Sequence, residues 1–172
     1  MKFTVRQLTI TGILGGISLL LGSTPLGFIP VPTPAGAATI MHIPVIIGAI
    51  MEGPLVGGSV GLIFGLFSFL RGGAALFSDP IIAILPRVLI GVFAAYGYRA
   101  VKNNLMGTSI AAIVGTLTNT IGVLSLGVVR GYLPNWETAA TIAVTHGIPE
   151  VIIAVLITVA IAKGIQKSRL VA

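Results

Sequence analysis

The chain has 172 residues, of which 55% are hydrophobic and only 8% are charged, whereas soluble domains carry about 25% charged residues. This composition excludes an ordinary soluble domain and indicates a polytopic membrane protein, with residues 1–172 forming a single membrane domain. The absence of cysteine excludes disulfides and thiolate metal sites. The net charge of +6 does not indicate nucleic-acid binding, because the charges stand mostly at the ends of apolar runs rather than in a patch.

Six apolar segments follow one another along the chain, and together they predict an all-α fold with six transmembrane helices. A membrane helix needs about 20 apolar residues, and the segments cover approximately residues 5–22, 38–51, 54–70, 80–98, 105–128 and 138–163. The second segment is short, which predicts a helix that is tilted or begins inside the preceding loop. The basic start of the chain lacks a small-x-small cleavage site, so we expect a retained first helix rather than a signal peptide.

Basic residues predict the orientation of these helices. They stand before the first helix, after the fourth and after the sixth: Lys2, Arg6, Arg99, Lys102, Lys163, Lys167 and Arg169. All three groups fall on one side if there are six spans, and basic residues favour the cytoplasmic side. We therefore expect both termini and the turn at Glu52 in the cytoplasm. The connections 22–37, 71–79 and 129–137 would then lie outside.

Glycines four residues apart occur in two helices, where they allow another helix to approach closely in lipid. The third helix carries such a series, which predicts packing inside the bundle: Gly57, Gly58, Gly61 and Gly65. The first helix carries Gly12 and Gly16. For this pair, packing inside the bundle and packing against a partner protein both remain open.

Three of the predicted helices contain a proline, and an ionisable residue lies beside or near each of these prolines. His42 comes before Pro44, and the other two pairs are Pro86 with Arg87 and Pro149 with Glu150. A helical proline leaves a backbone carbonyl free four residues earlier, here at Ile40, Ile82 and Thr145. In lipid a free carbonyl needs a partner or a wet cavity. The pattern therefore predicts a site within the membrane.

The polar residues predict where this site opens. Charges inside a span are expensive and by default indicate a functional site. Arg87, Glu150, Asn119 and His146 lie within predicted helices, with His146 one turn before Glu150. Three further cationic or titratable residues are expected at the outer mouth: His42, Arg71 and Arg130. A cavity open to the outside and closed below is the simplest interpretation.

Structural roles are the alternatives for the same residues. Arg87 and Glu150 can neutralise each other, with or without lining a site. The histidines can serve as hydrogen-bonding residues within the bundle, and Arg71 and Arg130 as interfacial charges. A metal site is not expected, because there is no HExxH motif and no carboxylate cluster.

Missing motifs limit what the chain can do by itself. It has no GxxxxGK[ST] phosphate loop, no GxSxG nucleophile motif and only four acidic residues. We therefore do not expect an enzyme. The absence of an internal repeat and of a chain of acids also argues against a self-sufficient transporter. A small binding protein that depends on an energised partner fits better, and a membrane scaffold that binds no ligand is the alternative.

One stretch carries a family resemblance. It reads PTPAGAATIMHIPVIIGAIMEGPLVGGSVGLIFGLFSFL.

 The stretch begins at Pro32 and ends at Leu70. It resembles the substrate-binding S components of energy-coupling factor (ECF) vitamin transporters, in the branch that includes pantothenate transporters, and the likeness in length and spans covers essentially the whole chain. The resemblance implies a subunit that binds a water-soluble vitamin near the outer face. Pantothenate is the lead ligand, and folate, cobalamin and other vitamins remain alternatives.

The resemblance also implies partners and contact residues. The family assembles with a membrane coupling protein and two cytoplasmic ATPases, and no cofactor is implied. An Ala-x-x-x-Ala face on the family's first helix meets the coupling protein, and Gly12 and Gly16 stand at the matching spacing. The segment 30–34 is rich in proline and would cap the site between hinges at Gly27 and Gly36.

A pantothenate ligand would bring a carboxylate, and a guanidinium can donate two parallel hydrogen bonds to it. Arg87, Arg71 and Arg130 are the candidates, in that order. The hydroxyl and amide groups would then fall to the neutral polar residues, which are Asn119, His42 and His146. Phe69 and Trp136 are candidates to pack the apolar part, with interface anchoring as their alternative role.

Overall fold

The computed structural model describes residues 3–30, 37–72 and 75–171. This part of the chain contains six α-helices, and the predicted helical fold is confirmed: α1 Val5–Ser23, α2 Ile43–Glu52, α3 Pro54–Arg71, α4 Pro80–Arg99, α5 Asn104–Val129 and α6 Trp136–Val171. Two short 3-10 helices, Pro25–Gly27 and Ala75–Ser78, lie between helices. Strands β1 Phe28–Pro30 and β2 Ala37–Thr39 form a small antiparallel hairpin that the helical prediction did not include.

Five of these helices are long and apolar enough to cross a membrane. Large apolar side chains remain exposed along them, including Leu8, Leu70, Val129 and Leu156. A soluble protein rarely exposes so much continuous apolar surface, whereas lipid solvates it well. The helices therefore form a membrane-embedded bundle.

The predicted second helix was wrong at its start, because α2 begins at Ile43 and not near residue 38. Residues Ala37–Thr39 pair with Phe28–Pro30 instead. The ten residues of α2 span about 15 Å at 1.5 Å per residue, which is half of a membrane core about 30 Å thick. Six helices are thus confirmed, while the sixth membrane crossing stays a prediction.

The position of Pro44 corrects a second expectation. Pro44 stands in the first turn of α2, where a missing backbone donor is harmless. The carbonyl of Ile40 accepts a hydrogen bond from the backbone amide of Ile43 at 3.1 Å. Of the three prolines that the sequence singled out, Pro86 and Pro149 lie in helix interiors.

An ion pair and a second basic residue mark one end of the bundle. Arg6 at the start of α1 contacts Glu52 at the end of α2, with 2.7 Å between nitrogen and oxygen. The guanidinium of Arg99 packs against the turn residue Gly53, whose φ of +90° favours glycine. We call this the closed end. The charge pattern predicted that these residues share one side, and the assignment of that side to the cytoplasm stays a prediction.

Close backbone contact joins α3 to α4, as the glycine series predicted. A Cβ at Gly57 would lie 2.9 Å from the Cα of Gly91, and a Cβ at Gly65 would lie 2.8 Å from the Cα of Ile84. The carbonyl oxygen of Arg87 lies against Gly61 in the same way. We call this contact the glycine seam. It fixes the position of Arg87 on α4 relative to α3.

Candidate binding site

A cavity of about 450 Å³ lies at the end of the bundle opposite the closed end. Cavities of about 300–1,000 Å³ are typical of small-molecule sites. Its wall combines the hairpin, α3, the 3-10 helix Ala75–Ser78, α4, α5 and α6. Aromatic rings form much of the apolar lining: Phe28, Phe64, Phe67 and Phe77. The polar part of the wall includes five of the seven residues that the sequence proposed for binding: Arg71, Arg87, Asn119, His146 and Glu150.

Arg87 is held rigidly in this wall and is only 4% exposed. Its Nη1 donates to the carbonyl oxygen of Ile82 at 2.7 Å. This is the carbonyl that Pro86 leaves without its helical donor. The guanidinium lies between two rings, 4.7 Å from the centroid of Phe77 and 5.6 Å from that of Phe64. The arrangement stabilises a cation in an apolar wall.

The Nε atom of Arg87 has a different environment. It is buried and has no hydrogen-bond partner among the described residues. A buried donor without an acceptor is costly. Arg87 therefore keeps hydrogen-bonding capacity that the described part of the chain does not use.

The carboxylate of Glu150 is 1% exposed and satisfied by neighbouring protein groups. Its Oε1 accepts from the backbone amide of Thr39 at 3.3 Å and also from the Thr39 hydroxyl. Its Oε2 accepts from the hydroxyl of Thr120 at 3.0 Å. The described residues contain no ion pair within 4.0 Å between Arg87 and Glu150. The direct neutralisation weighed as an alternative is thus absent from this geometry, although both side chains line one cavity.

Asn119 and His146 also line the cavity. The Asn119 Oδ1 and the His146 Nδ1 are buried and have no hydrogen-bond partner in the described part of the chain. The other ring nitrogen of His146, Nε2, lies 3.7 Å from the Oε1 of Glu150. The two residues are one helical turn apart, and this contact leaves the Nδ1 of His146 without a described partner.

His42 does not lie at the outer mouth, and that expectation was wrong. Its side chain is fully buried at the start of α2, and its Nε2 is 2.9 Å from the hydroxyl of Thr116. It is not among the residues that line the cavity. The physical reason is the late start of α2, whose first residues are buried inside the bundle.

Arg71 and Arg130 have different environments. Arg71 lines the cavity, donates to the carbonyl oxygen of Gly22 and lies 6.0 Å from the ring centroid of Phe28. Arg130 is not part of the cavity wall, because its Nε pairs with the Oδ2 of Asp79 at 2.7 Å. Burial raises the pKa of the Asp79 carboxyl, but hydrogen bonds from Arg130 and from the Ile81 amide outweigh it, so the pKa lies below its usual value.

Gly12 and Gly16 lie on an exposed face of α1. No atom outside their own helix comes within 4 Å of a Cβ built at either position, in the described part of the chain. Gly15 and Gly22 face the opposite way, against Ile63 and Phe67. The exposed pair therefore takes no part in packing within the described bundle, and its contact with a partner stays a prediction.

Sequence reasoning missed several residues of the wall. Thr39 and Thr120 donate hydrogen bonds to Glu150. Phe69 and Trp136, the aromatic residues that the sequence proposed, do not line the cavity. One signal was available for Phe64 and Phe67. They precede Arg71 at helical spacing, so they share a side of α3 with it. No sequence pattern pairs Thr39 with Glu150, which lies 111 positions away.

The fold and the cavity together define a class: a multi-pass membrane protein with a small-molecule-sized cavity at one end of its bundle. Comparison with known proteins makes this class specific. The family described as "ECF transporter, substrate-specific component" matches residues 6–162. The chain therefore belongs to the substrate-specific components of ECF transporters, and it is a transport subunit of the prokaryotic cell membrane.

Two curated relatives carry more specific names. The pantothenic acid transporter PanT of Lactococcus lactis subsp. cremoris is 36% identical over 155 residues, which covers 76% of this chain and 79% of the relative. The pantothenate transporter PanT of Leuconostoc mesenteroides is 29% identical over 140 residues, which covers 72% of this chain and 69% of the relative.

Proposed function

We propose that this subunit captures pantothenate at the outer face of the cell membrane. The observation that carries the proposal is the buried guanidinium of Arg87 in the cavity wall, with an Nε that no described protein group satisfies. A carboxylate ligand would provide the missing acceptor and the opposite charge. The names of the two relatives support pantothenate as the acid.

The remaining groups of pantothenate match the other walls of the cavity. Its two hydroxyls and its amide N–H are donors, and the Asn119 Oδ1 is a buried acceptor without a partner. The His146 Nδ1 supplies a second site for a hydroxyl or amide group. The branched dimethyl carbon is apolar and would pack against the phenylalanine rings. Arg71 stands at the same cavity and is the second candidate for the carboxylate.

Transport would require an energised partner. Our proposal includes a transmembrane coupling protein and two cytoplasmic ATPases, with both termini of this chain in the cytoplasm. Gly12 and Gly16 are the proposed contact with the coupling protein. Their exposure supports this role, because small residues on a lipid-facing helix allow a second helix to pack closely.

Ligand-induced thermal stabilisation of the detergent-purified chain tests the proposal. A panel of B vitamins would include pantothenate and, as a matched control, panthenol, in which an alcohol replaces the carboxylate. A ligand that binds only the folded state stabilises it by about 2.7 kcal/mol at a hundredfold excess over Kd. We expect stabilisation by pantothenate and none by panthenol.

Two other results would contradict the proposal in different ways. Stabilisation by another vitamin alone would replace pantothenate and leave the binding role intact. A folded protein that no vitamin stabilises would favour the scaffold alternative, in which the polar residues only hold the bundle together.

A further inference from the structure

Glu150 faces the cavity, yet its acceptor capacity is used by the protein. A carboxylate has about four lone-pair sites. Three hydrogen bonds reach it, two from Thr39 and one from Thr120, and the imidazole Nε2 of His146 lies 3.7 Å away. Little capacity remains for a ligand. This environment differs from that of Arg87, whose Nε is free.

The partners of Glu150 come from different elements of the cavity wall. Thr39 is the last residue of β2, whereas Thr120 lies on α5 and Glu150 itself on α6. The other anchors of this region lead elsewhere. The Ser18 hydroxyl of α1 donates to the backbone oxygen of Met41 at 3.2 Å, and Arg71 of α3 lies over Phe28. Glu150 therefore connects the hairpin wall to the α5 and α6 wall.

We infer that Glu150 is a positioning residue that braces β2 against α5 and α6, and so sets the width of the cavity and the affinity for its ligand. It acts through Thr39 and does not contact the ligand. The affinity measurements rest on the proposed function, because they use pantothenate as the ligand. The brace itself is a property of the empty protein, so it can be measured separately.

Two substitutions at Glu150 separate positioning from direct contact. Glu150→Gln keeps the Oε1 acceptor for Thr39, and its amide can donate to the hydroxyl of Thr120. It also removes a negative charge from a cavity that would bind an anion. We expect pantothenate to bind this variant as tightly as the wild type or more tightly, by isothermal titration calorimetry. Glu150→Ala removes the brace, and we expect affinity to fall about a hundredfold.

Thr39→Val tests the same connection from the hairpin. It removes the hydroxyl donor and keeps the shape and the backbone amide, so we expect affinity to fall about tenfold. In a Glu150→Ala background the same change should add no further loss, because the connection is already broken. Thr158→Val is the matched control. It removes another buried hydroxyl of α6, one with no described hydrogen-bond partner, and should leave affinity unchanged.

Hydrogen exchange measures the brace without any ligand. The amide of Thr39 donates to Glu150, so its exchange should accelerate in Glu150→Ala and stay slow in Glu150→Gln. Equal exchange in the alanine variant and the wild type would overturn the inference. So would a loss of more than tenfold in the affinity of Glu150→Gln. Accelerated exchange with no pantothenate binding by the wild type would instead contradict the proposed ligand and uphold the brace.

Discussion

The closed end and the cavity end of the bundle are built on opposite principles. At the closed end, the glycine seam brings Gly57 against Gly91, and a compact apolar core fills the space beside it, including Val56, Val60 and Ile90. At the cavity end, several helices and the hairpin surround about 450 Å³ of space, and three polar side chains have atoms without a hydrogen-bond partner among the described residues: Arg87, Asn119 and His146. Stability is concentrated in the first region and binding capacity in the second. The glycine seam serves both, since it also holds the backbone of Arg87.

The largest expected effect comes from breaking the glycine seam. Gly91→Leu would place a side chain against the backbone of Gly57 and Gly58, where nothing flexible can move aside. Overpacking costs about 1–3 kcal/mol and more where backbones must separate. We expect little or no folded monomer by size-exclusion chromatography in detergent. Gly12→Leu is the matched control, because a side chain there meets no described atom, and it should fold normally. Normal thermal unfolding of Gly91→Leu would contradict this view of the closed end.

The next effect separates two cations at the cavity end. Arg87→Met should weaken pantothenate binding about a hundredfold or more, since loss of a buried charge partner costs about 2–5 kcal/mol. Arg130→Met is the control, because Arg130 pairs with Asp79 outside the cavity wall, and we expect less than a threefold change. Calorimetry on both variants, with thermal unfolding to confirm folding, makes the test. Equal losses of pantothenate affinity in the two variants would contradict a specific role of Arg87 in binding.

A third prediction compares binding with transport. Replacing Gly12 and Gly16 together by leucine adds bulk to an exposed face of α1 without touching either end of the bundle. We expect uptake of labelled pantothenate by cells to fall at least tenfold while the purified variant binds with unchanged affinity. The smaller change Gly12→Ala and Gly16→Ala should retain uptake, because alanine keeps a small surface. Normal uptake by the leucine variant would rule out this face as the partner contact.

The smallest effect concerns pH and the ion pair of Asp79 with Arg130. Because the pKa of the Asp79 carboxyl is lowered in the folded protein, its pair with Arg130 contributes stability at pH values above the usual carboxyl pKa. The contribution is lost as the pH falls through the lowered pKa. Thermal unfolding between pH 7 and pH 3 should therefore show a slightly steeper loss for the wild type than for Asp79→Asn. Parallel curves would indicate that solvent screens the pair.

The sequence predicted the helices far better than their contacts. Apolar length and charge placement located five long helices within a few residues, apart from the end of α6, which extends to Val171 instead of about 163. The prediction for α2 failed because backbone pairing between Phe28–Pro30 and Ala37–Thr39 depends on a partner strand. Such pairing leaves little periodic signal in three residues.

The candidate site was predicted in part. The rule that charges within a span are functional found Arg87, Glu150, Asn119 and His146, all of which line the cavity. It could not separate Arg87, which keeps a free donor, from Glu150, whose acceptors are occupied. It also placed His42 at the mouth, although that side chain is fully buried beside Thr116.

The sequence by itself determined the class of the protein, because the cost of exposing polar groups to lipid restricts the length and composition of each membrane-spanning segment. It also predicted that Arg87 and Glu150 would lie inside the membrane domain, where both are buried. Only the tertiary structure decided what each of them does. Thr39 and Glu150 are 111 positions apart. The difference between the satisfied carboxylate of Glu150 and a guanidinium whose Nε has no described partner depends on contacts that arise when distant helices pack.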